Sequence, residues 1–364
     1  MSQMLALREY QREGVEAVFG EWRRGVQRTA MVWATGAGKT IAFAHIATRH
    51  LAANPNGRVL ALAHTTELVD QMISEFRSVA PGIRVGRVQA NVNETLAKIV
   101  CASVQTLRSE NRRRMIRDVS LVICDESHHA VAGTYMSVFD HYGCMDGSGA
   151  LALGVTATMM RGDEKARGAV WQSIAHEYSI SDGIADGFLV RPRGLHVAVD
   201  DLDLTRVKTT RGDYNEGQLG QAIEDSLAPA AIAKAVAEHA DNRKILLFAP
   251  TVSSAEVIGD ALRASGRSVG LIHGGLAPGP RKAVLDAYRA GETQVLTNCQ
   301  ILTEGFNYPP ADCAVIARPT RSRGLYIQIA GRVLRRSPGK TDALLLDVVG
   351  ATVAHSLISG VTLF

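Results

Sequence analysis

Seven residues near the amino terminus, Ala34-Thr35-Gly36-Ala37-Gly38-Lys39-Thr40, form the strongest pattern in this chain of 364 residues. Their glycines allow the backbone to curl so that successive N–H groups point at phosphate oxygens. A helix that follows adds the positive end of its dipole at the same place. In such a turn Lys39 reaches the β- and γ-phosphates, and the Thr40 hydroxyl can bind Mg²⁺. The pattern therefore predicts a nucleoside triphosphate site.

The flanking residues fit this prediction. Residues 28–34 (RTAMVWA) have the composition of a buried strand, and residues 40–52 (TIAFAHIATRHLA) have helical periodicity. A strand, a glycine-rich turn and a helix are the setting that a phosphate-binding turn requires. One position departs from the usual G-x-x-x-x-G-K-[ST] pattern, because Trp33 stands where the first glycine is expected. The alternative interpretation is an ordinary glycine-rich turn.

A pair of carboxylates follows a second apolar run. Asp125 and Glu126 come directly after residues 119–124 (VSLVIC), which are typical of a strand buried on both faces. In open α/β sheets, ligands gather at the carboxyl ends of the strands. We expect Asp125 to bind Mg²⁺ and Glu126 to orient or deprotonate water. Together with the phosphate-binding turn the pair predicts triphosphate hydrolysis, whereas a solvated turn after a strand is the alternative.

Short apolar runs alternate with helical patterns along the chain, which is typical of mostly parallel sheets flanked by helices. The first series comprises residues 28–34, 58–63, 83–88, 98–102, 119–124 and 151–155. The second series comprises residues 244–249, 268–272, 293–297, 312–317 and 342–347. We predict an α/β protein of two domains, residues 1–190 and 191–364, with a polar insertion or linker over residues 200–220.

Composition limits the class of protein. The net charge of +4 and the pI of about 8.8 permit nucleic-acid binding without establishing it. Five cysteines without C-x-x-C spacing indicate free thiols in a reducing compartment rather than a zinc site. No apolar run approaches the length of a membrane span, and the amino terminus lacks the pattern of a signal peptide. We therefore expect a cytoplasmic protein.

The order of further motifs resembles superfamily 2 helicases and translocases, over residues 5 to about 350. The matching segments of the first half are LRxYQ (7–11), TGAGKT (35–40), AHTTEL (63–68), ASVQTL (102–107), DESH (125–128) and TAT (156–158). Those of the second half are residues 246–256, TEGFN (303–307) and QxxGRxxR (328–335). The resemblance implies two tandem RecA-like domains, each a mostly parallel sheet flanked by helices, with the ATP site in the cleft between them.

The resemblance also implies a role for individual residues. ATP and Mg²⁺ are the implied cofactors. The residues implied to bind ATP are Arg8, Gln11, Thr35, Gly36, Ala37, Gly38, Lys39, Thr40, Gly305 and Asn307, and those implied to bind Mg²⁺ are Thr40 and Asp125. The implied catalytic residues are Glu126, Lys39, Gln328, Arg332 and Arg335. The residues implied to contact the nucleic-acid backbone are Thr66, Ser103, Gln105, Thr106, Thr251, His273, Gly274 and Thr303.

The chemistry of triphosphate hydrolysis also supports a catalytic role for Arg332 and Arg335. Hydrolysis of the γ-phosphate needs positive charge from outside the phosphate-binding turn. Arg332 and Arg335 are spaced by one helical turn, so both are expected to face one way. The tripeptide Arg112-Arg113-Arg114, in contrast, favours a solvated helix face.

Details of the motifs narrow the resemblance. The DESHH form is closer to transcription and repair helicases, phage branch-migration helicases and restriction-type translocases than to DEAD-box RNA helicases. Asn307 stands where this family often has an aspartate, so a ribose contact by Asn307 is a weaker expectation. His64-Thr65-Thr66 lacks the family's arginine, so an arginine contact to the nucleic acid is not implied there.

The leading hypothesis is an ATP-dependent DNA helicase or translocase. The alternatives are an RNA-directed helicase of the same superfamily and an ATP-gated clamp that does not unwind nucleic acid. The presence of Glu126, Arg332 and Arg335 argues against the clamp. We expect a monomer that interacts with nucleic acid, DNA rather than RNA, and with a protein partner that supplies substrate specificity.

Overall fold

The computed structural model describes residues 6–130, 132–157, 170–210, 213–299, 301–302, 306–318, 320 and 322–348. Thr158 of the TAT segment, and Thr303 and Gly305 of the TEGFN segment, lie outside the described residues. The chain divides into two compact units, Met1–Ser179 and Ile180–Phe364. The division comes before residue 190, because Leu189 pairs with Arg335 and the strand that begins at Arg191 joins the second sheet.

The first unit contains a sheet of eight strands in the order β4-β3-β5-β2-β6-β7-β1-β8. All neighbouring strands are parallel except β3 and β4, which form an antiparallel hairpin. The strands are β1 (Arg28–Trp33), β2 (Arg58–Ala63), β3 (Val85–Gln89), β4 (Val92–Asn93), β5 (Ile99–Ser103), β6 (Val119–Asp125), β7 (Leu151–Thr156) and β8 (Ser173–Tyr178).

Helices connect these strands and cover the sheet. They are α1 (Glu9–Arg23), α2 (Lys39–Ala53), α3 (Thr66–Val79), α4 (Glu110–Met115) and α5 (Gly133–His141), with short 3₁₀ helices at Thr106–Arg108 and Ser127–His129. The Thr65 side chain caps α3 by accepting a hydrogen bond from the Leu68 amide (3.2 Å), which satisfies a backbone donor at the start of this helix.

The second unit contains a fully parallel sheet of six strands in the order β13-β14-β12-β15-β16-β9. Its strands are β9 (Arg191–His196), β12 (Ile245–Ala249), β13 (Val269–Ile272), β14 (Val295–Cys299), β15 (Cys313–Ile316) and β16 (Asp342–Asp347), and a separate antiparallel pair is formed by β10 (Thr209–Thr210) and β11 (Asp213–Tyr214). Its helices are α6 (Ile180–Ala185), α7 (Glu216–Glu224), α8 (Ala228–His239), α9 (Val252–Ala264), α10 (Pro278–Ala290) and α11 (Arg323–Val333).

Apolar residues of the predicted insertion lie against the core of the second unit, within its described residues 200–210 and 213–220. Leu202, Leu204, Val207 and Tyr214 are partly buried there. The Thr320 hydroxyl also donates a hydrogen bond to Asp213 (2.7 Å). This stretch therefore contains secondary structure of its own, namely β10, β11 and the start of α7. The sequence is mostly polar, but the apolar residues spaced along it pack against the core.

The cysteines and the lengths of the helices bear on the expectations drawn from composition. All five cysteines are free, and four of them are buried. Among the described residues, no helix is both long enough and apolar enough to cross a membrane.

Candidate nucleotide site and nucleic-acid interface

The phosphate-binding turn connects β1 to α2. Gly36 and Gly38 have φ angles of 94° and 73°, a region that other residues rarely adopt. Gly38 precedes the first residue of α2, Lys39, so the turn opens directly into the helix. A Cβ atom on Gly38 would lie 2.6 Å from Nε2 of Gln11, so a side chain there would displace the Gln11 amide from the turn. Both conformation and space therefore favour glycine here.

Helix α1 supports the turn from the side. The Tyr10 hydroxyl and Nε2 of Gln11 both donate hydrogen bonds to the carbonyl oxygen of Ala37, at 2.7 and 3.0 Å. Oε1 of Gln11 accepts a hydrogen bond from the Arg8 amide (3.0 Å). The structure thus places Gln11 against the turn, with both ends of its amide bonded to backbone. Binding of ATP by Gln11 and Arg8 stays a prediction.

Trp33 occupies a position in the core of the first unit. Its ring fills the space beside Gly14, where a Cβ atom would lie 2.3 Å from Cζ2 of the indole. Its Nε1 donates a hydrogen bond to Nδ1 of His176 (3.0 Å) on the edge strand β8. The indole is fully buried, so Trp33 stabilises the end of β1, and the phosphate-binding turn begins at the next residue, Ala34. This explains how the turn forms without the usual first glycine.

The ring of Tyr10 stacks on the ring of Tyr178, with centroids 3.8 Å apart. The Tyr178 carbonyl accepts a hydrogen bond from the Ala34 amide (2.8 Å), at the start of the turn. Sequence reasoning included Tyr10 only as part of a motif and missed Tyr178. A small residue, Gly14, beside a bulky one, Trp33, would have indicated how α1 packs here. The sequence alone does not show that these two residues are in contact.

The carboxylate pair lies at the carboxyl end of β6. Asp125 ends the strand, and the Glu126 amide donates a hydrogen bond to Oδ1 of Asp125 (3.0 Å). Both residues are buried. Burial raises the pKa of Asp125 to about 7, the charge of Glu126 adds to this rise, and the charge of Lys39 opposes it. A cation beside Asp125 would offset these costs, so the site favours one.

Glu126 has a left-handed backbone, with φ of 48° and ψ of 52°. Its Oε2 atom is buried and accepts no hydrogen bond from the described residues, while Nδ1 of His128 lies 3.5 Å away. The same nitrogen is 3.1 Å from the Thr156 hydroxyl, so His128 connects the carboxylate pair with the end of β7. An unsatisfied buried carboxylate oxygen fits a group that accepts a hydrogen bond from a water molecule.

The donor set around the turn fits Mg²⁺. Within the part of the chain that the structure describes, no group of three or more His, Cys, Asp or Glu residues could hold a metal. In nucleotide sites, however, Mg²⁺ takes one or two protein oxygens and completes its shell with phosphates and water. The Thr40 hydroxyl of the phosphate-binding pattern and the Asp125 carboxylate of the carboxylate pair are the two oxygens that would bind Mg²⁺.

The four predicted nucleic-acid residues of the first unit lie close to the carboxyl ends of β2 and β5. The Ser103 hydroxyl donates a hydrogen bond to Oε1 of Gln105 (2.6 Å), and Nε2 of Gln105 donates to the His64 carbonyl (2.9 Å). Thr66 is the first residue of α3, and Thr106 is the first residue of a 3₁₀ helix. The structure therefore joins the AHTTEL and ASVQTL segments by direct hydrogen bonds.

The predicted nucleic-acid residues of the second unit are more varied. Thr251 caps α9, since its hydroxyl oxygen accepts a hydrogen bond from the Ser254 amide (3.0 Å). Nδ1 of His273 accepts a hydrogen bond from the Gly275 amide (3.2 Å). Gly274 has open space around its Cα atom. Nucleic-acid contacts by these residues stay predictions.

The arginines of the QxxGRxxR segment contact the end of the TEGFN segment. Nη1 of Arg332 donates a hydrogen bond to the Phe306 carbonyl (2.8 Å), and Nη1 of Arg335 donates to Oδ1 of Asn307. Helix α11 ends at Val333, so Arg335 lies beyond the helix. Both arginines nevertheless bind to two residues that are neighbours in the chain, Phe306 and Asn307. Gln328 and Arg332 are buried. Asn307, predicted to bind ribose, is thus an acceptor for Arg335.

The protein contains two mostly parallel sheets, and the first carries a glycine-rich phosphate-binding turn and a carboxylate pair at the carboxyl ends of its strands. These features define an α/β nucleotide-binding protein with RecA-like domains. Comparison with known proteins narrows this class. The family described as "Type III restriction enzyme, res subunit" matches residues 4–161, and the family described as "Helicase conserved C-terminal domain" matches residues 228–337. The chain belongs to the superfamily 2 helicases and translocases.

Individual relatives agree with this membership. The chain is 29% identical over 360 residues to the ATP-dependent helicase IRC3 of Saccharomyces cerevisiae, and covers 52% of that protein with 95% of its own residues. A fragment of an HsdR subunit of a type I restriction enzyme from Vibrio vulnificus has the same fold, with a TM-score of 0.75 and 22% identity over 98% of this chain and 67% of that one.

The Type ISP restriction-modification enzyme LlaBIII, solved bound to DNA, has a TM-score of 0.71 and 15% identity, over 94% of this chain and 28% of that one. The chain spans about half the length of the curated relatives it matches.

Proposed function

We propose that this protein is an ATP-dependent DNA helicase or translocase, which couples ATP hydrolysis to movement along DNA. One observation carries the proposal most directly. The phosphate-binding turn after β1 and the buried carboxylate pair after β6 lie at the carboxyl ends of strands in one parallel sheet, separated only by β7. This is where open α/β sheets bind their ligands.

The first unit would bind the nucleotide. The amides of the turn and the Lys39 ammonium group hold the phosphates, and the Thr40 hydroxyl and the Asp125 carboxylate hold Mg²⁺. When bound, Mg²⁺ neutralises charge on the phosphates. Glu126 would orient the attacking water and accept its proton, which is supported by a buried oxygen that accepts no hydrogen bond from the described residues.

The second unit would supply positive charge for the hydrolysis step. We assign this role to Arg332 and Arg335, with Gln328 beside them on α11. Their hydrogen bonds to residues 306 and 307 fix the two guanidinium groups relative to the TEGFN segment. An arginine that stabilises charge on the transferred phosphoryl group accelerates the reaction by about 10³–10⁵-fold. Because both sets of residues are in one chain, a monomer is sufficient for activity.

DNA is proposed as the substrate because one relative of the same fold is solved bound to DNA and the amino-terminal family is named for restriction enzymes. Thr66, Ser103, Gln105 and Thr106 would contact the phosphodiester backbone, which carries no sequence information. Binding would therefore tolerate any sequence and weaken with salt.

The test is the ATPase rate with single-stranded DNA, duplex DNA, branched DNA and RNA side by side, for the wild type and for Glu126→Gln. We expect DNA of any sequence to stimulate the wild type, and the variant to remain inactive with every nucleic acid. Stimulation by RNA alone would favour the RNA-directed alternative. Rates that are indifferent to all four nucleic acids would refute the proposal.

A further inference from the structure

The hairpin of β3 and β4 lies next to the predicted nucleic-acid residues of the first unit. It forms the edge of the sheet, and its two turn residues are Ala90 and Asn91. The turn and β4 are exposed to solvent, whereas Val85, Gly86 and Val88 of β3 are buried against the rest of the sheet. The hairpin is therefore anchored at its base and accessible at its tip.

Two hydrogen bonds join the tip to the AHTTEL and ASVQTL segments. Nε2 of Gln89 donates to the hydroxyl oxygen of Thr66 (3.0 Å), and the Ala90 amide donates to the hydroxyl oxygen of Thr106 (3.3 Å). In both cases the threonine oxygen is the acceptor, because an amide N–H group can only donate. A hydroxyl group has one proton to donate, and these contacts leave that proton available.

The turn is held in place from the other side by Arg112. Nη2 of this arginine donates a hydrogen bond to the Ala90 carbonyl (2.7 Å), and Nη1 donates to Oδ1 of Asn93. Ala90 has a φ of 48°, which a residue with a side chain adopts only when its surroundings stabilise it. Arg112, predicted to lie on a solvated helix face, thus fixes the hairpin turn.

We propose that the β3–β4 hairpin positions the two threonine hydroxyls for binding to the phosphodiester backbone, with Gln89 as the positioning residue for Thr66. The hairpin supplies the donors, so each threonine directs its own O–H proton outward, to a phosphate oxygen. Pre-orientation of a donor lowers the entropic cost of binding. This inference rests on the proposed function, because it concerns the nucleic acid on which the motor would act.

The experiment is a double-mutant cycle on Gln89 and Thr66. The measured quantity is the Kd for a short fluorescein-labelled oligothymidylate, by anisotropy, for the wild type, Gln89→Leu, Thr66→Val and the double variant. We expect each single variant to weaken binding by about twofold to tenfold, the factor that corresponds to one net hydrogen bond. The double variant should bind no more weakly than Thr66→Val alone, because Gln89 acts through Thr66.

Gln221→Leu is the matched control. Gln221 is an exposed glutamine on α7 whose amide donates to Asp225 (2.8 Å), so the same chemical change is made away from the hairpin. This variant should bind DNA as the wild type does. Thermal melting of each variant reports whether the fold is retained, and Gln89 is only partly buried, so Gln89→Leu is expected to fold.

The possible failures are distinguishable. If Thr66→Val weakens binding but Gln89→Leu binds as the wild type does, the hairpin inference is wrong and the proposed function stands. If the effects of the two substitutions add fully, Gln89 acts independently of Thr66, which contradicts a positioning role. If the wild type binds no nucleic acid, both the inference and the proposed function are wrong.

Discussion

At the scale of single residues, the main feature is the strained position of Glu126. Its backbone is left-handed, and its Oε2 atom lies buried without a hydrogen bond from the described residues. Such a conformation costs about 1–3 kcal/mol and persists only where the surroundings impose it. The strain and the unsatisfied oxygen together support the proposed role of Glu126 toward a reacting water.

Lys39→Ala and Glu126→Gln are predicted to separate ATP binding from hydrolysis. Lys39 is proposed to contact phosphates in the ground state, so its loss should weaken ATP binding by about tenfold or more, as expected for a hydrogen bond to a charged group. Glu126 is proposed to act on water, so Glu126→Gln should bind ATP normally and lose about 10²–10⁴-fold in turnover. Titration with a fluorescent ATP analogue and steady-state ATPase rates measure both quantities. Equal loss of affinity in the two variants would contradict the division of roles.

At the scale of elements, helix α1 is a support for the phosphate-binding turn. Tyr10 and Gln11 bond to the turn, and Gly14 leaves the space that Trp33 fills. The helix begins at Glu9, so these contacts come from its first two turns. Packing of α1 therefore determines both the stability of the end of β1 and the shape of the turn.

Gly14→Ala is predicted to destabilise the protein by about 1–3 kcal/mol, the usual cost of overpacking a core. The added methyl group would overlap the indole of Trp33, which is buried and cannot move away. The control is Gly20→Ala on the same helix, where nothing lies within 4 Å of the added atom. That change should be neutral or stabilise α1 by up to about 1 kcal/mol. Urea unfolding checks both, and equal effects would exclude the contact with Trp33 as the cause.

The imidazole of His50 on α2 should make stability depend on pH. Its Nε2 atom is 2.8 Å from the Ser120 hydroxyl, and burial lowers its pKa. The unfolded chain therefore binds a proton more readily than the folded protein, so His50 costs no stability above its ordinary pKa of about 6.5 and reduces stability as the pH falls below it.

Replacement of His50 by glutamine, which also has a donor for Ser120, should reduce the loss of thermal stability between neutral and mildly acidic pH. The control is His239→Gln, at an exposed position in the last turn of α8. Melting temperatures over a pH series provide the measurement. A pH dependence that is identical in His50→Gln and the wild type would show that another group is responsible.

The elements also show how far sequence reasoning extends. Each of the eleven predicted apolar runs contains or overlaps a strand, because central strands of parallel sheets are buried on both faces and read as continuous apolar segments. Strands β8 (SIAHEY) and β9 (RPRGLH) were missed. Both lie at sheet edges, where one side is exposed and polar residues interrupt the pattern.

The candidate site likewise has one part that the sequence predicts and another part that it does not. The turn and the carboxylate pair are local patterns, so the sequence predicts them. The contacts of Gln11 with Ala37, of Trp33 with Gly14 and of Gln89 with Thr66 join residues that are distant in the chain. No local pattern encodes such contacts, and they depend on how the helices and strands pack.

At the scale of the whole molecule, the predicted catalytic residues are divided between two units. The first unit holds the turn and the carboxylates, and the second holds Arg332 and Arg335. Arg332 is buried and bonded to a backbone carbonyl, whereas Arg335 is bonded to the side chain of Asn307. The two arginines should therefore differ in what they contribute to stability.

Arg335→Ala is predicted to retain ATP binding and stability while turnover falls by about 10³-fold or more. Arg332→Ala should lose turnover to the same extent and, in addition, about 1–3 kcal/mol of stability, because the Phe306 carbonyl loses its partner. Arg336→Ala is the control, since this neighbouring arginine donates to the Gly187 carbonyl and has no proposed catalytic role. ATPase rates and urea unfolding check the three variants. Normal turnover in Arg335→Ala would remove this residue from the mechanism.

The central claim, ATP-driven movement along DNA, is tested most directly by displacement of a third strand from a DNA triplex placed ahead of the protein on a duplex track. The account predicts that the wild type displaces the strand only when ATP is hydrolysed, and that Glu126→Gln binds ATP and DNA but displaces nothing. DNA-stimulated ATP hydrolysis without any displacement, on duplex or single-stranded tracks, would contradict the account and support an ATP-gated clamp.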